Sequence, residues 1–182
     1  MRSVLVVTSN HDKFQEIAAA LRDFRITARM GKADFEEHGA DLEMIAKDKA
    51  KQAYAHFRKP LLVDDTGIYF HACRNFPGHR AKRVYEEMGL EGVFGELKGK
   101  NRNAHFKTVL CFTDGKRTKS FSGTLHGTIT EKIYPLARQQ FPYERVFLID
   151  GKPLALLPIK EKIRISHRAQ AARKFAAWWT NR

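Results

Sequence analysis

The stretch Leu61-Leu62-Val63-Asp64-Asp65-Thr66-Gly67-Ile68 constrains the fold of this chain more than any other. Its unbroken aliphatic start reads as a buried strand. Two carboxylates, a hydroxyl and a glycine then stop the run, which fits a strand opening into a turn at its C-terminal end, with Gly67 allowing φ angles that a side chain forbids. Ligands of open α/β sheets bind at that end of a strand. Neighbouring acids can take a divalent cation through oxygen and can orient or deprotonate a water. The same four residues also serve as an Asx turn that only closes the strand.

The segments before this one alternate between strand and helix. Residues 3–8 (SVLVVT) are short, β-branched and apolar, as in a first buried strand. Ser9, Asn10, His11 and Asp12 supply capping groups, and Phe14, Ile17, Ala18 and Leu21 follow at i, i+3, i+4, i+7 spacing. Strand, polar turn and helix together bring backbone N–H groups and the positive end of a helix dipole to one place, an anion site to which Lys13 adds a full charge. A capped surface helix with a solvated lysine has the same pattern. Residues 24–28 read as a second strand, weakened by Arg25 and Arg29. Helical spacing returns with Leu42, Ala46, Ala50, Ala53 and Phe57, while Lys47, Lys49 and Lys51 fall on a solvated face from which one can reach a phosphate. This helix ends before Pro60.

Beyond Ile68, Phe76-Pro77-Gly78 marks a turn, and Ala81, Val84, Tyr85 and Met88 form a helical stripe that Gly89 ends. Residues 92–100 are polar and glycine-containing, as in a loop or the edge of a lobe. Residues 105–113 are a strong strand, Asp114-Gly115 turns it into residues 119–125, and this hairpin is the middle of the sheet. Gly123 and Gly127 mark bulges or close backbone approaches. Residues 143–149 read as a further strand, and a last helix begins near Ser166 with Ala169, Ala172, Phe175, Ala176 and Trp179 on its apolar side. This order predicts an α/β fold with a mixed, twisted central sheet flanked by helices.

Charge is the unusual bulk property: 33 basic residues against 20 acidic ones leave +13 on 182 residues. Such an excess attracts polyanions, whether nucleic acid or a nucleoside triphosphate. No apolar run approaches the length of a membrane span, and a cytoplasmic protein is expected. Two cysteines, Cys73 and Cys111, form no disulfide framework and are expected to be reduced.

Taken in order, these segments resemble the inosine triphosphate pyrophosphatase family over the whole chain. The resemblance is carried by Thr8-Ser9-Asn10-His11-Asp12-Lys13 with Glu16, Glu37-x-Gly39, Ala46 with Lys49 and Ala50, Asp64-Asp65-Thr66-Gly67, Pro77-Gly78 with Arg83, Arg102-x-Ala104-x-Phe106, Gly123 with Gly127, and Lys162 ahead of Ser166-His167-Arg168. It implies an elongated, two-lobed single domain over residues 1–182 with an active-site cleft between the lobes. It also implies Mg²⁺-dependent hydrolysis of aberrant purine nucleoside triphosphates to the monophosphate and pyrophosphate, and a homodimer. By the same resemblance Thr8, Ser9, Asn10 and Lys13 cradle the triphosphate, and Glu37 and Asp65 bind Mg²⁺. Asp65, with Asp64 beside it, acts on the attacking water. Thr66 stands where the family has serine and keeps the hydroxyl, Lys49 and Lys162 add charge on the phosphate side, and His167 and Arg168 help hold the nucleotide.

One segment departs from the family. Phe141-Pro142-Tyr143-Glu144-Arg145-Val146-Phe147 stands where relatives have Phe-Gly-Tyr-Asp-Pro-x-Phe. Phe141, Tyr143 and Phe147 keep an aromatic surface for stacking a base, whereas Glu144 moves the acceptor by one methylene. A site that reads a base through buried hydrogen bonds discriminates steeply, so base preference is left open here. The alternative reading of the whole chain is a basic nucleotide- or nucleic-acid-binding module on the same fold.

Overall fold

The computed structural model describes residues 2–135 and 141–181. The first half alternates strand and helix: β1 (Arg2–Val7), α1 (His11–Arg22), β2 (Ile26–Gly31), α2 (Leu42–Phe57) and β3 (Leu61–Phe70). Then come β4 (Phe76–Gly78), α3 (Ala81–Glu96), β5 (Asn103–Thr113), β6 (Thr118–Ile129), β7 (Phe147–Ile149), β8 (Lys152–Pro153), α4 (Ile159–Ile165) and α5 (His167–Thr180). Among the described residues these strands form one mixed sheet in the order β2-β1-β3-β5-β6-β7-β8, with β4 added along β3. β1 runs parallel to both β2 and β3, and β5 and β6 continue the sheet in antiparallel fashion. The mixed α/β sheet expected from the sequence is therefore present.

The period of two along β3 sorts its residues between faces. Leu62, with Leu110 and Phe112 on β5, faces the core under α1 and α5, where Ile17, Leu21, Ala172 and Phe175 lie. Leu61 and Val63, with Val109 and Cys111, face the core under α2, built on Ala46, Ala50 and Ala53. Further along the strand, Ile68 and Phe70 join a third core with Phe106, Leu125 and residues Val84, Leu90 and Val93 of α3. Asp64 to Gly67 lie between the cores at the two ends of one long strand, and this is the division into two lobes.

Several expectations are corrected. The acids do not end their strand, because β3 continues through Gly67 to Phe70. What ends beside them is β1, whose last pairing with β3 is Val7 with Val63. Gly67 is extended; it is required because a Cβ there would stand 2.5 Å from the carbonyl oxygen of Gly78 on the neighbouring β4. Residues 76–78 are accordingly a short strand. The second strand spans 26–31 instead of 24–28, since Arg25 takes a left-handed turn at φ 57°. Gly89, at φ 64° and ψ −171°, ends the first helical run as expected, but a second run starts directly after it on buried Leu90 and Val93 and continues to Glu96 across most of the expected loop. Pro142 opens a 3-10 turn over Pro142–Arg145, leaving only Phe147–Ile149 as strand. α4 has no counterpart in the sequence reading, because its charged residues Lys160, Glu161, Lys162 and Arg164 hide any apolar stripe.

The start of α5 rests directly on the sheet. A Cβ at Gly123 on β6 would lie 2.0 Å from the carbonyl oxygen of His167, inside any tolerable contact. Gly123→Ala must therefore push α5 off β6 and is expected to cost about 2–4 kcal/mol. Gly95→Ala, where nothing lies within 4 Å, is expected to be neutral or slightly stabilising. Urea unfolding of both variants measures the contrast.

Candidate active site where the parallel strands end

The turn after β1 forms first, from local chemistry. The Thr8 hydroxyl accepts the Asn10 N–H at 3.2 Å, and the Asn10 side chain caps α1 by accepting the Lys13 N–H at 3.1 Å. Ser9 is exposed at the tip of the turn. These bonds fix the helix entry and leave other first-turn N–H groups at a positive helix end. One turn into α1, Lys13 reaches back to Asp64 with Nζ 3.0 Å from Oδ2.

Asp64 and Asp65 are adjacent, so they point to opposite faces of β3 and meet different surroundings. Asp64 faces α1 and α5, where Arg168 Nε lies 3.7 Å from the same oxygen that Lys13 touches. Burial pushes its carboxyl up, but Lys13, Arg168 and Lys49 more than offset this and hold it below the usual carboxylate range. Asp65 faces α2, where Lys49 Nζ is 3.6 Å from Oδ1 and 2.9 Å from Oε1 of Glu37. Its other oxygen, Oδ2, is buried without a hydrogen-bond partner. Burial pushes the Asp65 carboxyl up to about 6, with Glu37 and Asp64 raising it further and Lys49 and Lys13 opposing. Two neighbouring acids are thus separated by environment into one held ionised and one short of positive charge.

That shortage bears on metal binding. An orphaned buried carboxylate oxygen, with the exposed Glu37 carboxylate joined to it through one lysine, is an oxygen donor set suited to a hard divalent cation. Asp65 and Glu37 are the residues that fit such an ion.

Behind Asp64 a hydroxyl relay runs into the molecule. Thr66 Oγ1 lies 3.4 Å from Asp64 Oδ2 and 2.7 Å from Thr108 Oγ1, which is 2.6 Å from Nδ1 of His167. His167 stacks on Phe106 with centroids 5.1 Å apart, and burial, with Arg168 and Lys162 nearby, keeps its imidazole well below its ordinary pKa. Ser166 caps α5 by accepting the Ala169 N–H, so His167 and Arg168 enter the site from the helix's first turn. Next to them is a buried quartet. Glu16 Oε1 lies 3.0 Å from Lys162 Nζ and 2.9 Å from Arg168 Nη1, and Lys162 donates to Glu144 at 2.6 Å. Burial pushes Glu16 up, but Arg168 and Lys162 bring it below the usual range; at Glu144 burial prevails and the carboxyl is raised.

The structure therefore brings Thr8, Asn10, Lys13, Glu37, Lys49, Asp64, Asp65, Thr66, His167 and Arg168 around one stretch of β3. Lys162 stands elsewhere than expected: fully enclosed and bonded to Glu144, it belongs with the 141–147 segment and not with a phosphate side. Tyr143 is also different. It is completely buried with its hydroxyl donating to the Ala81 carbonyl, so of the expected stacking aromatics only half-buried Phe141 keeps an accessible face. Thr108 had no assigned role, and Glu16 only a place in a motif. The available signals were a hydroxyl inside the apolar run of β5 and the i, i+3 position of Glu16 after Lys13.

The fold is thus a mixed α/β sheet carrying an acid pair, flanking lysines and a helix N-terminus where its parallel strands end. The chain belongs to the Ham1 family, whose sequence model matches residues 4–178. It is 39% identical to a dITP/XTP pyrophosphatase of Saccharolobus solfataricus over 94% of this chain and 90% of that one. It is 33% identical to one of Hyperthermus butylicus over 97% and 94%. The solved structure of a HAM1 protein from Coxiella burnetii superposes with a TM-score of 0.83 at 24% identity and full coverage of both chains, a likeness of fold. The family resemblance drawn from the motifs is borne out.

The quartet and Asp65 make opposite stability predictions. Lys162→Met leaves Glu16 and Glu144 buried with Arg168 as the remaining cation and is expected to cost about 3–5 kcal/mol. Asp65 ionises more readily in the unfolded chain than in the fold, so its contribution is present below about pH 4 and lost as pH rises through about 6. Asp65→Asn is accordingly expected to raise Tm by several degrees in chelator at pH 7.5, on the order of 3 kcal/mol at most, and to leave it unchanged at pH 4. Differential scanning calorimetry at the two pH values checks both.

Proposed function

We propose that this chain hydrolyses nucleoside triphosphates to the monophosphate and pyrophosphate, with aberrant purine nucleotides as its substrate class. The observation that carries the reading is the divergence of Asp64 and Asp65: one oxygen of Asp65 is buried and unpartnered while its other shares Lys49 with Glu37, whereas Asp64 is committed to Lys13 and Arg168. The names of the curated relatives, dITP/XTP pyrophosphatase, supply the substrate class.

The residues divide the work. The Thr8–Asn10 turn, Lys13, Lys49 and the Thr66 hydroxyl receive the phosphates, replacing solvent around them with fixed charge and dipoles. Glu37 and Asp65 hold Mg²⁺, which supplies neutralisation of charge on the phosphate oxygens. Asp65 orients the attacking water and takes its proton as the oxygen adds to phosphorus; the α–β anhydride bond breaks and pyrophosphate leaves. Asp64, anchored behind it, keeps the strand and Lys13 in place. Phe141 offers a stacking face to the base, and the buried Glu144–Lys162 pair with His167 and Arg168 backs that side of the site and tunes how the base is read.

A homodimer is part of the same proposal. Trp178 and Trp179 pack in part against Phe112 and are half-buried. Light scattering gives the mass.

Pyrophosphate release with Mg²⁺ across dITP, XTP, ITP and the four ordinary dNTPs tests the activity. Turnover is expected on the aberrant purines, with Asp65→Asn and Glu37→Gln each lowering kcat/KM at least a hundredfold. Silence on the entire panel sinks the proposal, and retained nucleotide binding without turnover favours the basic binding module. Glu144→Asp, which restores the shorter acceptor, is expected to change the ratio of kcat/KM between dITP and dGTP more than it changes kcat on dITP.

A further inference from the structure

The other lobe carries a cluster that the triphosphate site does not use. His71, His105 and His126 present ring nitrogens that all lie within 4.8 Å of one another. Their placement follows from sheet register. His105 on β5 and His126 on β6 are directly opposed partners, and His71 is the first residue beyond the end of β3, whose Tyr69 pairs with His105. Two adjacent strands and the 3-10 turn that follows a third therefore deliver the imidazoles to one place.

We propose that these three histidines bind a divalent transition-metal ion of the zinc class, at a site separate from the carboxylate pair. Tetrahedral nitrogen ligands of zinc sit about 3.3 Å from one another, given bonds of roughly 2.0–2.1 Å. His71 Nε2 and His105 Nδ1 are already 2.9 Å apart, and the rings of His105 and His126 are 5.4 Å apart between centroids. Small rotations of the exposed His71 and His126 bring all three nitrogens onto one ion.

The His105 ring is fixed by stacking on Tyr69 at 4.8 Å and an interplanar angle of 5°. A surface hollow of about 470 Å³ opens beside His71 and His126, lined also by Asn103, Thr128 and Asp150, which leaves room for a water or an outside ligand in the fourth position. Hard cations prefer oxygen, so Mg²⁺ at Asp65 and Glu37 does not compete for three imidazoles.

The test is a Zn²⁺ titration of the untagged protein in excess Mg²⁺, followed by competition with a chromophoric chelator, and repeated with Co²⁺ for its visible absorption. One Zn²⁺ per chain is expected. His71→Ala and His126→Ala, both at exposed positions, should each weaken binding at least tenfold and abolish the Co²⁺ spectrum, with Asp65→Asn binding as wild type does. Absence of stoichiometric uptake overturns the proposal. So does affinity unchanged in either histidine variant, or uptake that disappears with Asp65→Asn.

Discussion

The ion pairs that converge on Asp64 hold the site together. Lys13 comes from α1, Arg168 from α5, and the carboxylate between them from the middle of the sheet. None of these charges is cheap to bury alone. Together they fix where both helices approach β3, and Glu16 and Lys162 extend the same compensation into a continuous buried network. On this face of β3 the charged side chains are placed by charge balance more than by apolar fit, in a protein whose cores elsewhere are ordinary.

The consequence on the other face of β3 is a contrast in readiness. Asp65 is next to Asp64 in the chain, yet the alternation of a strand turns it toward α2, where Lys49 is shared with Glu37. A residue in this position has unmet capacity for positive charge, and unmet capacity is what a binding site consists of before its ligand arrives.

Much of this was legible in the residues. β-Branched runs and helical spacing located β1, α1, α2, β5 and α5, and the caps at Asn10 and Ser166 act where the sequence placed them. The errors share a cause. Asp64 to Gly67 look like a strand end because local chemistry favours a turn there, but β5 pairs with β3 along its entire length and keeps it extended. Burial of Leu90 and Val93 likewise makes a second helical run of residues that read locally as loop. Lys162 could not be placed from its neighbours, since its partners Glu16 and Glu144 are remote in sequence and meet only when α1, α4 and the 142–145 turn close on one another. Long-range pairing of buried charges has no local periodicity to read.

The alternation along β3 also says which changes of length this chain can accept. Losing one residue between Leu61 and Asp64 would rotate every following side chain to the opposite face, sending Asp65 toward Arg168 and Asp64 toward Lys49. No single substitution undoes such an exchange. The hairpin turn at 114–117, whose exposed residues are tied mainly to Asp114, has no comparable register to keep. Insertions and deletions in the lineage of this protein should therefore collect at that turn, and β3 should keep a fixed count even where its apolar residues are exchanged for one another.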